Sequence, residues 1–100
     1  MSKKIELNLK KIVNSKYIVN DNINDLELFK IMEELSRNYN ADLVGDPKAG
    51  TMNFKIPVIG KISLTYTITN NVLIINILKK PFLLNYSAIE SKIIETLSNL

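Results

Sequence analysis

The chain has 100 residues, 46% of them hydrophobic, and a formal net charge of +3, with neither histidine nor cysteine. This length suits one domain with one modest core, so we expect a single domain over residues 1–100. The missing cysteines exclude disulfides and thiol chemistry, and the missing histidines remove the commonest general base and metal ligand. We therefore expect neither enzyme activity nor a metal or other cofactor.

The basic residues are lysines spread along the chain, with a single arginine at Arg37. Nucleic-acid binders generally cluster their basic residues and use arginine for base contacts, so this distribution argues against a nucleic-acid partner. The apolar runs are far shorter than the about 20 residues of a membrane span, and residues 1–11 carry charges where a signal peptide needs an apolar run. The sequence predicts a cytoplasmic protein with no transmembrane segment.

The first element is a strand, in which Ile5, Leu7 and Leu9 alternate with polar residues. We expect this strand to run on towards Val13, because apolar residues continue up to that position. Residues 14–22 fit either a second short strand or a loop, and the sequence leaves both open.

A helix is predicted over residues 25–39, where apolar residues recur at helical spacing. Asn24 precedes it as an N-cap, with Glu27 in the capping-box position. A short strand at residues 41–44 and a turn-rich connection at residues 45–50 follow. The predicted buried stripe of the helix comprises Leu28, Ile31, Met32, Leu35 and Tyr39.

Three antiparallel strands are predicted over residues 51–79. Asn70-Asn71 suits the centre of a type I′ hairpin turn, because asparagine tolerates the positive φ required at both positions. A one-residue slip would place threonines opposite apolar side chains, so the alternation itself specifies the register. The expected cross-strand pairs are Thr69 with Val72, Ile68 with Leu73, Tyr66 with Ile75 and Leu64 with Ile77.

The turn before these two strands is predicted as a three-residue loop, Val58-Ile59-Gly60, with Gly60 in the left-handed conformation of a G1 bulge. Pro57 belongs beside this turn, because proline cannot donate a ladder hydrogen bond. The pairs expected from this loop are Ile56 with Ile62, Phe54 with Leu64 and Met52 with Tyr66.

A second helix is predicted over residues 87–99, opened by a capping box from Ser87 to Glu90. Pro81 should end the ladder before it, because proline cannot extend a sheet. Phe82, Leu83 and Leu84 are expected to form an apolar patch crossing between sheet and helix. The predicted buried stripe of this helix comprises Ile89, Ile93, Ile94, Leu97 and Leu100.

These elements predict an α+β fold: an antiparallel sheet of four to five strands, packed on one face by the helices at residues 25–39 and 87–99. The other sheet face mixes threonines with aliphatic residues. It is either an ordinary solvated face or a semi-apolar patch that meets a partner. The candidate interaction face comprises Lys55, Thr65, Thr67, Val72, Ile74 and Leu78.

A succession of short motifs in the second half of the chain has a familiar pattern. It comprises Gly60-Lys61-Ile62, the strands ending at Thr69 and starting at Val72, Lys80-Pro81-Phe82-Leu83-Leu84, Ile89-Glu90 and Ile93. This pattern resembles the small polyhydroxyalkanoic acid system proteins, and the likeness covers residues 26–98. The chain departs from their pattern at residues 12–22, where an extra segment separates the first strand from the helix. The resemblance implies association with polyester storage granules and carries over no catalytic residue.

The preferred hypothesis is a small non-enzymatic binding module that uses the threonine-rich sheet face, with a protein partner or a second copy of the chain. The resemblance adds a polymer-granule surface or a granule protein as a target. One alternative is a carrier that holds a small apolar ligand in a cavity between sheet and helices. Another is an inhibitor of a larger protein complex, encoded by a mobile element.

Overall fold

A computed structural model describes residues 3–38 and 40–100. The fold is α+β, as predicted. Its elements in chain order are β1 (Lys3–Asn8), α1 (Leu9–Ile12), a 3-10 turn (Ser15–Tyr17), β2 (Ile18–Val19), β3 (Asn22–Ile23), α2 (Asp25–Asn38), β4 (Asp42–Gly45), β5 (Ala49–Ile56), β6 (Gly60–Thr69), β7 (Val72–Lys79) and α3 (Tyr86–Ser98).

Five strands form one antiparallel sheet in the order β1-β7-β6-β5-β4, so the first strand of the chain lies beside the last. A separate two-stranded sheet joins β2 to β3. Residues 14–22, left open by the sequence, therefore contain a 3-10 turn and a strand of a small hairpin. Asn20 and Asp21 form its turn, both at positive φ (50° and 65°).

The core lies between one face of the five-stranded sheet and the helices. The alternation of apolar and polar residues in β6 and β7 directs every second side chain into this core, as predicted. Ile31, Met32 and Leu35 of α2 are half-buried, whereas Tyr39 of the predicted stripe lies outside the described residues. The buried apolar residues are Ile5, Leu7, Leu9, Val13, Tyr17, Leu28, Ile62, Leu64, Tyr66, Leu73, Ile75, Ile77, Ile89 and Leu97.

The predicted register between β6 and β7 is confirmed. Asn70 and Asn71 take φ of 52° and 67°, as the type I′ turn requires. The pairs observed include Thr69 with Val72, Ile68 with Leu73, Tyr66 with Ile75 and Leu64 with Ile77.

The predicted register between β5 and β6 is wrong by two residues. The loop is Pro57-Val58-Ile59, because Val58 takes the positive φ (70°) and the Ile59 amide donates to the Ile56 carbonyl at 3.2 Å. Gly60 does have positive φ (136°), but it already belongs to β6. A two-residue shift keeps the same side chains on the same face. The observed pairs are Ile56 with Gly60, Phe54 with Ile62, Met52 with Leu64 and Gly50 with Tyr66.

The predicted continuation of the first strand to Val13 is also wrong. Asn8 pairs with Val72, the first residue of β7, so β7 offers no partner beyond this point. The Asn8 side chain instead accepts the Lys10 amide at 3.1 Å and opens α1. This turn places Leu9 in the core with no exposed surface.

The helix starts follow asparagine caps. Asn24 accepts the Glu27 amide at 3.3 Å, which confirms the predicted N-cap of α2. The cap predicted at Ser87 is wrong: Asn85 accepts the Ala88 amide at 2.7 Å, so α3 begins at Tyr86. Asparagine is as good an N-cap as serine. Asn85 directly follows the turn at residues 81–84, so the helix starts there and not two residues later.

Candidate binding surfaces

The outer face is the side of the five-stranded sheet on which, among the described residues, no helix lies. Its central region lies on the adjacent strands β7 and β6 and includes Ile74, which stands between Glu6 of β1 and Thr67 of β6. Thr65 lies opposite Asn76 in the next row. The structure thus brings Thr65, Thr67, Val72 and Ile74 of the predicted interaction face together on two adjacent strands.

The other two predicted interaction residues lie apart from this centre. Lys55 stands directly opposite Lys61 near the turn between β5 and β6. Leu78 is 53% exposed, and no residue of β6 stands directly opposite it, because the ladder shifts register between Ser63, which pairs with Lys79, and Leu64. This bulge separates Leu78 from the regular part of the outer face.

The outer face has a mixed surface of methyl groups and hydroxyls. Val72, Ile74 and Thr65 are half-buried by their strand neighbours, whereas Thr67 is exposed. Beside them, Lys4 Nζ lies 3.1 Å from Glu6 Oε1, and both side chains are more than half exposed. An exposed pair of this kind contributes little to stability, but it leaves the centre of the face electrically balanced.

A second surface lies at one end of the sheet and was not predicted as a site. It is formed by two neighbouring connections, the one between β5 and β6 and the one between β7 and α3. We call it the apolar tip and define it as Val58, Ile59, Phe82 and Leu83. Their exposed fractions are 107%, 40%, 96% and 79%. The connections touch, because a Cβ placed on Gly60 would lie 3.3 Å from atoms of the buried Pro81.

Phe82 and Leu83 were predicted to cross between sheet and helix, and they instead project from the protein surface. The Leu84 amide donates to the Pro81 carbonyl at 3.2 Å, so the two residues form the centre of a turn. Turn centres usually carry Gly, Asn, Asp or Ser. Apolar residues at these turn positions are the sequence signal that would have revealed the tip.

Four lysines flank the apolar tip: Lys55 and Lys61 on the β5–β6 side, Lys79 as the last residue of β7, and Lys80 directly after it. Residues 53–63 and 76–86, which form the two connections and the strand ends beside them, contain no carboxylate side chain, while Asp42 of β4 stands opposite Asn53 at the edge of this region. Within residues 3–38 and 40–100, none of the four lysines forms an ion pair. Lys80 Nζ does lie 5.1 Å from the centre of the Tyr86 ring.

The opposite end of the sheet is polar and is tied into the fold by Asn71. Its side-chain oxygen accepts the Ile23 amide at 2.9 Å, and its carbonyl accepts the Leu9 amide at 2.9 Å. Its side-chain nitrogen donates to the Asn22 side chain at 3.3 Å. One turn residue therefore links the sheet to the β2–β3 hairpin and to α1.

Tyr66 anchors the connection between β4 and β5 at this polar end. Its hydroxyl donates to the Asp46 carbonyl at 2.8 Å. Burial, followed by the charges of Asp46 and Glu33, raises the pKa of Tyr66 above its usual value. The hydroxyl therefore stays protonated and serves as a structural donor. Among the described residues, no three acidic side chains are grouped as a metal site would require.

Two depressions of the surface are polar and open. One lies between α2 and β4 and is lined by Glu33, Arg37 and Asp42 among others. The other lies by the Asn70-Asn71 turn. The space between sheet and helices is filled by side chains such as Leu9, Leu28 and Ile77, so nothing observed there favours the carrier alternative.

In the part of the chain that the structure describes, no helix combines the length and the apolar character needed to cross a membrane. Comparison of the chain with family models, with curated proteins and with solved structures finds no match. The outer face and the apolar tip are therefore the features on which a functional proposal can rest.

Proposed function

We propose that the protein is a small non-enzymatic binding module whose outer face meets a second copy of the same chain. The observation that carries this proposal is Ile74, an aliphatic residue at the centre of a sheet face that no described helix covers. A partly apolar face of this kind is characteristic of an interaction surface. A two-fold axis at this position would pack Ile74 and Val72 against the same residues of the other copy.

The charges of the outer face are compatible with such self-association. The only charged side chains beside Ile74 on β1 are Lys4 and Glu6, which neutralise each other. Lys55 lies at the far end of the face, opposite Lys61. Two copies whose strands run in opposite directions can therefore meet centre to centre without facing their lysine ends, an approach of like charges that would cost several kcal/mol.

The dimensions of the face predict a weak dimer. Five strands of four to ten residues at about 4.8 Å spacing cover about 570 Å². Two such faces would bury about 1,100 Å² in total, which is the size of a weak, transient interface. We therefore expect a dimer that dissociates on dilution.

The test is light scattering coupled to size-exclusion chromatography over a range of protein concentrations, on the wild type and on Ile74→Lys. We expect a concentration-dependent dimer for the wild type and a folded monomer for the variant, because the new ammonium groups would be buried against each other. Leu26→Lys is the matched control: Leu26 is 63% exposed on α2, and its replacement should leave the dimer intact.

A wild type that stays monomeric at every concentration would refute self-association through this face. The resemblance to polyhydroxyalkanoic acid system proteins would then make a granule protein the partner to test for the same face.

A further inference from the structure

We propose that the apolar tip and its four lysines dock the protein onto the surface of an anionic phospholipid bilayer. The apolar side chains of the tip would enter the boundary between headgroups and acyl chains. Lys55, Lys61, Lys79 and Lys80 would contact lipid phosphates. This contact lies at one end of the sheet and does not use the centre of the outer face.

The shape of the apolar tip favours a bilayer over a folded protein. Phe82 and Val58 are almost completely exposed at 96% and 107%, so they project outward and do not line a groove. A stable protein interface needs about 800 Å² and about 20 residues from each partner, which four side chains at two turn centres do not supply. A bilayer accepts projecting side chains without a complementary pocket.

The charge around the tip specifies an anionic surface. Lys55 and Lys61 stand directly opposite each other on β5 and β6, an arrangement of like charges that weakens a sheet. No carboxylate within residues 53–63 or 76–86 compensates them. Each lysine near an anionic membrane surface strengthens binding by about fivefold, so four of them supply most of the attraction.

The combination of the two features is what a reversible membrane contact requires. Apolar insertion alone or a basic patch alone gives marginal binding, and the two together give a stable peripheral association. Lysines beside exposed apolar residues occur twice along the chain. Lys55 and Lys61 flank Val58-Ile59, and Lys79-Lys80 precede Phe82-Leu83. The two segments lie side by side in the fold, because Gly60 is close to Pro81.

The experiment is co-sedimentation of the full chain with vesicles of two compositions. One is an equimolar mixture of phosphatidylcholine and phosphatidylglycerol, and the other is phosphatidylcholine alone. We expect binding to the mixed vesicles that weakens as salt is added, and at least tenfold weaker binding to the neutral ones.

Two pairs of double variants separate the contributions of the tip. Phe82→Ser/Leu83→Ser should weaken binding at least tenfold, with Val19→Ser/Leu26→Ser as the control at exposed aliphatic positions outside the tip and the outer face. Lys55→Gln/Lys61→Gln should weaken it about 25-fold. Lys11→Gln/Lys48→Gln removes the same charge near the opposite end of the sheet and should change binding less than threefold. Circular dichroism confirms that each variant is folded.

Three outcomes would overturn the proposal. The first is no sedimentation of the wild type with mixed vesicles, and the second is equal sedimentation with both compositions. The third is that the two control variants lose as much binding as the tip variants, since general charge or hydrophobicity would then account for it. A wild-type dimer that Phe82→Ser/Leu83→Ser converts to a monomer would assign the tip to self-association instead.

Discussion

Strand β6 begins and ends in hairpin turns of opposite character. At its end, Asn70 and Asn71 are polar, both at positive φ, and Asn71 makes three hydrogen bonds to residues of other elements. At its start, the turn Pro57-Val58-Ile59 is apolar, and Val58 is completely exposed. The connection that lies beside each turn has the same character as that turn. Residues 46–48 at the polar end include Asp46 and Lys48, whereas residues 81–84 at the apolar tip are all apolar.

The two ends of one strand therefore serve different purposes. Hydrogen-bonding groups at the polar end are occupied within the fold, so a change there is expected to alter stability. Side chains of the apolar tip contact little of the protein, so a change there is expected to leave the fold intact. Stability measurements on matched variants at the two ends can test this difference.

The largest effect is expected at the polar end from Gly50→Ala. A Cβ at this position would lie 2.6 Å from the Tyr66 hydroxyl and 2.7 Å from the Val44 carbonyl. We expect a loss of about 2–3 kcal/mol in the free energy of unfolding, measured by urea denaturation, because the site has no room for a methyl group. In a Tyr66→Phe background the loss should be smaller, since the closest atom is gone; an equal loss in both backgrounds would contradict this packing.

An intermediate effect is expected from Asn71→Gly. Glycine keeps the positive φ of the turn but removes the acceptor of the Ile23 amide. We expect a loss of about 1 kcal/mol, together with faster hydrogen exchange at Ile23. Asn70→Gly is the control, because glycine accommodates its φ of 52° and no described hydrogen bond uses its side chain. Equal losses at both positions would show that Asn71 contributes only to the turn.

The smallest effect is expected at the apolar tip, and it has the opposite sign. Val58 is a β-branched residue at a φ of 70°, a conformation that costs such residues energy. Val58→Gly should therefore raise the free energy of unfolding by about 0.5–1 kcal/mol, after allowing for the extra freedom of glycine in the unfolded chain. A loss of stability in denaturation experiments would mean that the valine side chain packs against the fold after all.

The same contrast explains which register could be predicted from the sequence. Asparagine is one of the few residue types that favour positive φ, so the Asn70-Asn71 pair indicates where the two-residue turn lies. The position of that turn fixes the pairing of β6 with β7. In the β5–β6 turn the positive φ falls on Val58, which no local preference indicates. The alternation of apolar and polar residues cannot distinguish the predicted β5–β6 register from the observed one, because a shift of two residues leaves every side chain on the same face of the sheet.

The surfaces were predictable to different degrees for a related reason. The outer face follows from alternation in β6 and β7, so Thr65, Thr67, Val72 and Ile74 could be grouped without a structure. The apolar tip joins residues more than 20 positions apart, and that meeting depends on tertiary contacts. Apolar residues at turn positions mark each connection in the sequence, but sequence alone could not show that Phe82 and Val58 lie at the same end of the sheet.

The pairing of β1 with β7 has a consequence for how the chain folds as it is synthesised. Ile5 lies opposite Ile75, so the first strand has no partner until most of the protein has been made. Loop closure over such a distance costs only slightly more entropy than over a short one, but it must wait for the distant segment to exist. Hairpins joined by short turns close early, so β5, β6 and β7 can assemble without β1. We therefore expect β1 to remain unpaired on the ribosome, with Ile5 and Leu7 open to chaperones, until strand β7 has emerged.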